Sequence, residues 1–392
     1  MTTVRNTIVI SNTAGDPNNP KTWSGTPANI IKTLSRNGFG VISINTSLPK
    51  PLKLACFALH YAGGLKSNYL RGPLAHRLRA RILQRRLETI DCRKVLHTGT
   101  GDLPMPDFPD KADHYLLIDY TWNLFVQNSP EISRYPRRML RLAEELEHQS
   151  YAQITHFFPV SQYVANNLVG DYGIDPARIT VVGTGRGNIA PFTGEKNYAK
   201  GHILFVAKGG FEKKGGLSLI EGFSIAQRKN SKLRLVIVGG QKYEKFTKDV
   251  PNVTLTGYLT LEELERLFHT AALFAMPALN EPWGLVYLEA LASRTPILGL
   301  NRNSVPEISC NGRYGFLVPE PTSASVANVI LQAFSDVDKL REMGKNGQRY
   351  CLEKFLWENT CDKITRTIFG QGNSVRKPAD TRPVANICHS LQ

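Results

Sequence analysis

Two glutamates, Glu281 and Glu289, lie eight positions apart where a predicted strand leads into a predicted helix. The strand covers Leu273–Met276, and the helix begins near Gly284. Backbone N–H groups at a helix start are unpaired and carry partial positive charge, so those near Gly284 and Leu285 suit a diphosphate. Glu281 lies in the loop, where its carboxylate can accept hydrogen bonds from sugar hydroxyls. Glu289, about one and a half turns into the helix, can reach a ribose.

This stretch resembles the Glu-x7-Glu signature of retaining glycosyltransferase family 4, which has the GT-B architecture. In that family the first glutamate contacts the transferred sugar and the second binds the ribose hydroxyls of the donor. The resemblance therefore implies a catalytic role for Glu281 and a ribose-binding role for Glu289. Trp283 replaces a more usual phenylalanine and is expected to reshape the sugar pocket. Two glutamates at this spacing are common by chance, but the surrounding small-residue pattern is specific.

A basic, glycine-rich segment upstream, Phe205–Gly216, also follows a predicted strand. It resembles the loop in which an arginine and a lysine of the family clamp the donor diphosphate. Lys214 matches the second position. Lys208 stands where arginine is usual, and lysine supplies charge without a bidentate fork. Taken alone, the segment also fits a basic surface turn.

Two further segments extend the resemblance over roughly residues 200–360. The segment from Ser304 to Val318 looks like family scaffold. The segment from Asn252 to Tyr258 resembles the part of the family whose backbone meets the nucleotide base, which implies base contacts at Gly257 and Tyr258.

The first half of the chain resembles the family less closely. Its loop Trp23–Pro27 follows the first strand and opens a helix, like the loop that approaches the donor phosphates, which implies a phosphate contact at Gly25. Ser24 or Thr26 is expected to cap that helix.

Two polar segments of this half follow strands at their carboxyl ends, where ligands of α/β proteins bind. They contain His97 and Asp119. Relatives often place a histidine near the primary hydroxyl of the sugar, and the choice between His97 and Asp119 as that catalytic residue is open. A lone histidine is more often structural.

No metal site and no cofactor are expected. Asp336 and Asp338 form a D-x-D sequence, but it lies in a polar stretch and is interpreted as solvated charge. The family resemblance agrees, because GT-B enzymes generally neutralise the leaving diphosphate with basic residues and helix dipoles.

Short apolar runs alternate with amphipathic helical patterns throughout the chain, and several runs are continuously apolar, as in parallel strands covered on both faces. The predicted strands are Thr7–Ser11, Gly40–Ile44, Lys94–His97, Tyr115–Asp119, His156–Val160, Ile179–Val182, Ile203–Ala207, Arg234–Val238, Val253–Thr256, Leu273–Met276, Pro296–Leu300 and Gly315–Val318. This pattern predicts an α/β fold of two facing Rossmann-like, doubly wound domains with the active site in the cleft between them.

We expect an N-terminal acceptor-binding domain over residues 1–190 and a nucleotide-sugar-binding domain over 200–355. A C-terminal helix over 356–370 is expected to cross back to the first domain. Residues 371–392 show little periodicity and are expected to form a disordered tail.

The formal net charge of +15 favours anionic partners. Much of the excess lies between residues 66 and 86, in Lys66, Arg71, Arg77, Arg79, Arg81, Arg85 and Arg86. This segment fits either a solvated helix or a surface that docks on an anionic membrane. Nucleic acid is not expected, because no aromatic residues alternate with these charges. No apolar run is long enough to span a bilayer, so the sequence predicts a cytoplasmic protein, compatible with the inner face of a membrane.

The function expected from these residues is transfer of a hexosyl group, with retention, from a nucleoside diphosphate sugar to a hydroxyl of a polysaccharide, lipopolysaccharide or glycolipid acceptor. Two alternatives remain at this stage. One is a nucleotide-sugar epimerase of the same architecture. The other is a non-catalytic basic module that binds membrane or nucleic acid.

Overall fold

The computed structural model describes residues 6–65, 69–107, 110–372 and 375. They form two compact units, each built on its own parallel sheet. The first unit contains the described residues up to Gly185 together with those from Trp357 onward, and the second is Arg186–Leu356. The tail expected over 371–392 lies almost wholly outside the described residues.

The sheet of the first unit has five strands in the order β2-β1-β3-β4-β5. Its strands are β1 (Thr7–Asn12), β2 (Gly40–Asn45), β3 (Lys94–Thr98), β4 (Asp113–Ile118) and β5 (His156–Pro159). The helices among them are α1 (Thr26–Arg36), α2 (Lys50–Ala62), α3 (Pro73–Leu87), α4 (Trp122–Asn128), α5 (Arg137–Tyr151) and α6 (Gln162–Gly170). Short 3-10 helices occupy Thr22–Gly25, Tyr69–Arg71, Pro130–Arg134 and Pro176–Arg178.

The sheet of the second unit has six strands in the order β11-β10-β9-β6-β7-β8. Its strands are β6 (His202–Ala207), β7 (Leu235–Gly239), β8 (Val253–Leu255), β9 (Ala271–Ala275), β10 (Ile297–Leu300) and β11 (Gly315–Val318). Its helices are α7 (Gly216–Lys229), α8 (Glu244–Thr247), α9 (Leu261–Thr270), α10 (Leu285–Ala292), α11 (Val305–Ile308), α12 (Ser323–Ala333) and α13 (Val337–Lys354), with a 3-10 turn at Gln241–Tyr243.

A last helix, α14 (Trp357–Phe369), packs against α1 within the first unit. Its Cys361 and Ile364 are fully buried. Lys363 donates a hydrogen bond from Nζ to the Val181 carbonyl at 2.8 Å. These contacts fasten α14 to the first unit.

Every predicted strand except Ile179–Val182 has a counterpart within two residues of its expected bounds. The prediction at Ile179–Val182 is wrong, although the segment runs beside β5. Thr180 N–H donates to the Phe157 carbonyl at 3.0 Å, and Val182 N–H donates to the Pro159 carbonyl at 3.0 Å. Proline has no N–H to donate in return, so the ladder cannot continue there.

Each sheet contains a point at which the strand order reverses. In the first unit it lies between β1 and β3, and in the second between β6 and β9. Ligands of doubly wound sheets bind outside the carboxyl ends of the strands that flank such a point. The loops after β6 and β9 are therefore the expected ligand-binding loops of the second unit.

Candidate active site

The loops after β6 and β9 lie against each other. Leu279 N–H in the second loop donates to the Lys213 carbonyl in the first at 2.8 Å. Gly215, which begins α7, has φ of 77°, and a Cβ at this position would lie 2.0 Å from the Pro277 carbonyl oxygen. Only glycine satisfies both the left-handed backbone and this close approach. The glycine-rich sequence thus brings the two loops together.

Lys214 and Glu281 meet across this junction. Lys214 Nζ lies 3.8 Å from Glu281 Oε2, and both side chains are largely buried, with 29% and 22% exposed. The two residues predicted to contact the diphosphate and the sugar therefore lie side by side in one unit.

Glu289 lies in the second turn of α10 and is held by the chain that enters the second unit. Its Oε1 accepts a hydrogen bond from Asn188 N–H at 2.9 Å. Burial raises the pKa of Glu289, while this hydrogen bond, the charges of Lys208 and Lys214, and a backbone bond from Ile189 lower it. Both lysines therefore act electrostatically on the ribose-binding candidate.

Two helices begin at this edge of the second sheet without a side-chain cap. They are α7, after Gly215, and α10, after Gly284. Gly284 has φ of 80°, and a Cβ there would lie 2.7 Å from the Tyr287 ring and 3.1 Å from Glu281 Cγ. The first-turn N–H groups of an uncapped helix attract anions. Leu285, the first residue of α10, belongs to this set.

The base-binding candidates lie beside Lys208. Gly257 has φ of 80°, and its carbonyl accepts from Gly239 N–H at 3.2 Å. Tyr258 is 66% exposed, and its hydroxyl lies 3.4 Å from the Lys208 carbonyl. An exposed aromatic ring next to a basic loop offers a face on which a planar base can stack.

The loop before α1 in the first unit has an unusual backbone. Trp23, Ser24 and Gly25 have φ of 42°, 53° and 82°. Consecutive left-handed residues that are not glycine are strained, and such strain concentrates at functional sites. The expected side-chain cap is wrong: Gly25 is the N-cap, and no side chain caps the helix.

Asp119 follows β4 and contacts this strained loop. Trp23 donates from Nε1 to Asp119 Oδ2 at 3.1 Å. Burial raises the pKa of Asp119, and the bond from Trp23 opposes that rise. A partly buried carboxylate with a raised pKa, beside a strained loop, is typical of a functional group.

His97 is placed quite differently. The residue is fully buried, and its Nδ1 lies 2.9 Å from Asp102 Oδ1 while its Nε2 lies 2.9 Å from His114 Nδ1. Burial lowers the pKa of His97, and Asp102 opposes this. With both ring nitrogens engaged and no exposed surface, His97 has no atom free for a sugar in this structure. Of these two residues, Asp119 is therefore the better candidate for contact with the donor sugar.

Other sequence expectations are also refined. Trp283 is 5% exposed, and the centroid of its ring lies 6.0 Å from that of the Phe355 ring. Trp283 therefore belongs to the core of the second unit. Asp336 caps α13 by accepting from Lys339 N–H at 2.9 Å, and Asp338 pairs with Arg341. The D-x-D sequence is thus part of a helix start.

The basic segment is not uniformly at the surface. Arg79 is only 5% exposed, and its Nη1 donates to the Leu70 carbonyl at 2.7 Å. Lys66 lies outside the described residues, whereas Arg81 and Arg85 are exposed.

Sequence reasoning missed Gly187 and Asn188. A Cβ on Gly187 would lie 2.1 Å from Glu289 Oε1, so the missing side chain makes room for the carboxylate. The only signal in the sequence was the density of glycine just after the first half, at Gly183, Gly185 and Gly187.

Comparison with known proteins matches part of the chain to a family. Residues 192–350, which fall within the second unit, match the family model of the group 1 glycosyl transferases. The likeness to this family thus lies in the second unit and spans about two fifths of the chain.

Three similar proteins show how much of the chain the sequence similarity covers. The chain is 30% identical over 111 residues to alpha-maltose-1-phosphate synthase of Mycolicibacterium smegmatis, covering 27% of this chain and 29% of that protein. It is 26% identical over 224 residues to D-inositol 3-phosphate glycosyltransferase of Gordonia bronchialis, covering 51% and 49%. The match to a GDP-mannose-dependent alpha-(1-6)-phosphatidylinositol monomannoside mannosyltransferase of Mycobacterium tuberculosis is 27% over 172 residues, covering 40% and 45%. The chain thus spans from under a third to about half the length of these relatives.

Solved structures show the fold. WaaG, a glycosyltransferase involved in lipopolysaccharide biosynthesis, superposes with a TM-score of 0.69 at 16% identity, covering 93% of this chain and 100% of WaaG. Anabaena HepE in complex with UDP-glucose gives 0.63 at 15% identity, covering 92% and 99%. The chain has the GT-B fold of two α/β units with parallel sheets.

Proposed function

We propose that this chain is a retaining glycosyltransferase of group 1 that moves a hexosyl group from a nucleoside diphosphate sugar to a hydroxyl of a glycan or glycolipid. One observation carries the proposal. At the switch point of the second sheet, Lys214 and Glu281 lie 3.8 Å apart beside two uncapped helix starts.

These groups suit the difficult part of the reaction, the departure of a charged diphosphate. Lys208, Lys214 and the first-turn N–H groups near Gly284 and Leu285 would hold the leaving charge, and fixed electrostatic stabilisation of this kind supplies much of enzymatic rate enhancement. In the first unit, the N-terminus of α1 at Gly25 remains a proposed phosphate contact.

The carboxylates act on the sugars. Glu281 orients the transferred sugar and is not proposed as a covalent nucleophile. Glu289, held by Asn188 N–H, accepts hydrogen bonds from the ribose. Gly257 and Tyr258 contact the base, and Asp119 is the proposed catalytic carboxylate of the first unit.

The similar proteins support a uridine or guanosine donor. One curated relative is described as GDP-mannose-dependent, and the HepE structure contains UDP-glucose. No group of three or more His, Cys, Asp or Glu that could hold a metal occurs among the described residues. The cytoplasmic location expected from the sequence stays a prediction.

The test is turnover of UDP-glucose and GDP-mannose with polysaccharide and glycolipid acceptors, followed by NMR of the new anomeric centre. We expect a product with the donor's anomeric configuration, and a loss of kcat/KM on the order of 10²-fold in Lys214→Ala. Lys229→Ala, which changes an exposed lysine at the C-terminal end of α7, is the matched control. An inverted product would contradict retention. A changed sugar nucleotide formed without acceptor would indicate an epimerase.

A further inference from the structure

Helix α2 in the first unit exposes large apolar side chains to solvent and buries only a narrow stripe. Its buried residues are Cys56 and His60, one turn apart, which form a narrow inward stripe. The outward side carries large apolar side chains, with Leu54 69% and Leu59 61% exposed. Water-exposed helix faces are normally polar, so this arrangement needs an apolar partner.

The exposed apolar surface is concentrated on this one helix. The exposed large apolar residues of α2 are Leu52, Leu54, Phe57, Leu59 and Tyr61, and only four others are exposed to this degree among the described residues, namely Leu74, Val169, Tyr258 and Leu261. Leu74 lies at the start of α3, which packs against α2 through Cys56 and Ala75. Leu74 is therefore an exposed apolar residue on the helix that packs beside α2.

The segment of chain that carries the patch has charged residues of one sign only. Residues 17–87 contain no aspartate or glutamate. They contain 12 of the chain's lysines and arginines, namely Lys21, Lys32, Arg36, Lys50, Lys53, Lys66, Arg71, Arg77, Arg79, Arg81, Arg85 and Arg86. Arg77, Arg81 and Arg85 follow each other at four-residue spacing on α3, and all three are exposed. Arg77 pairs with Asp107 at 3.1 Å, so Arg81 and Arg85 contribute most of the exposed positive charge of this row. A basic rim around an apolar helix complements an anionic lipid surface.

We propose that α2 is an interfacial helix that docks the first unit on an anionic bilayer. Its outward apolar face enters the boundary between headgroups and acyl chains, Lys50 and Lys53 reach back to the phosphates, and the exposed Arg81 and Arg85 of α3 contact the surrounding headgroups. With 13 residues, α2 is too short to cross a bilayer, so it lies in the interface plane.

The test is sedimentation with vesicles of phosphatidylcholine alone and of equal parts phosphatidylcholine and phosphatidylglycerol. The full chain should bind the anionic vesicles at 0.1 M salt and lose most binding at 0.5 M, because salt screens the basic rim. The double variant Leu54→Gln, Leu59→Gln should bind at least about tenfold more weakly, since each leucine contributes apolar burial. Glutamine keeps helix propensity, so the fold should survive.

The control is Val169→Gln, Leu261→Gln, which removes two exposed apolar residues elsewhere and should bind like the wild type. The assay reads binding alone, so its result is independent of whether the chain transfers sugar. Equal vesicle binding by the α2 variant, or no binding by the wild type, would overturn the proposal. So would light scattering in which the α2 variant turns a dimer into a monomer, because the patch would then be covered by a second copy.

Discussion

Glu289 combines two properties that rarely serve stability. It is a carboxylate on an otherwise apolar helix, and burial raises its pKa. Burying an ionised carboxylate destabilises the folded chain. The presence of Glu289 at this position is therefore more easily explained by ligand binding than by stability. Its room and its hydrogen bond come from the backbone at Gly187 and Asn188.

We predict that Glu289→Gln stabilises the chain at pH 7.5 while it weakens nucleotide binding. A carboxyl whose folded pKa is raised loses stability as the pH rises from its unfolded pKa through its folded pKa. Glutamine keeps the acceptor for Asn188 N–H but has no charge to bury. The gain should be about 0.5–2 kcal/mol at pH 7.5 and should vanish towards pH 4.5.

Urea unfolding at both pH values measures this effect. Glu262→Gln, which changes an exposed glutamate on α9, is the control and should leave stability within about 0.5 kcal/mol. If Glu289→Gln were less stable than the wild type at pH 7.5, the carboxylate would serve the fold rather than a ligand.

At this scale the sequence identified side chains but not their surroundings. The family resemblance pointed to Glu281 and Lys214, and in the structure their side chains lie 3.8 Å apart. The burial of His97 could not be predicted, because it depends on Asp102 and on His114 from the neighbouring strand β4. Residues that act through backbone, such as Asn188, leave no side-chain pattern to find.

At the scale of elements, the site depends on two loop-to-helix junctions that glycine makes possible. Gly215 allows the loop after β6 to touch Pro277 in the loop after β9. The strand order β9-β6-β7 places these loops side by side. The positions of Lys214 and Glu281 therefore depend on this contact.

We predict that Gly215→Ala costs about 2–5 kcal/mol, because it adds a left-handed backbone penalty to a clash with the Pro277 carbonyl. Thermal unfolding measures the loss. Gly209→Ala in the same loop should be tolerated, since its Cβ would meet nothing within 4 Å. Equal stability of the two variants would mean that the loops are not held as the structure shows.

Most strands and the principal helices were predictable because apolar runs in parallel sheets are long and continuous. The exception at Ile179–Val182 arose from Pro159 in the neighbouring strand, a tertiary effect that no local pattern reveals. The exposed apolar face of α2 was equally hidden, since an apolar helix sequence normally indicates burial.

At the scale of the whole molecule, the two units show different degrees of likeness to the family. The family model covers residues 192–350, within the second unit, whereas the likeness to WaaG extends over 93% of the chain at the level of fold. The side chains of the second unit therefore support the donor chemistry. The class of acceptor is supported by the fold and by the similar proteins.

The proposed function requires the switch point of the second unit to bind a nucleoside diphosphate. Titration calorimetry of the wild type, Lys214→Ala and the control Lys229→Ala with UDP, GDP and ADP tests it most directly. We predict that one nucleotide binds the wild type and the control equally, and binds Lys214→Ala at least about tenfold more weakly, because one charge-assisted contact is lost. Equal nucleotide binding by the wild type and Lys214→Ala, or no binding of any of the three nucleotides, would rule out this donor site.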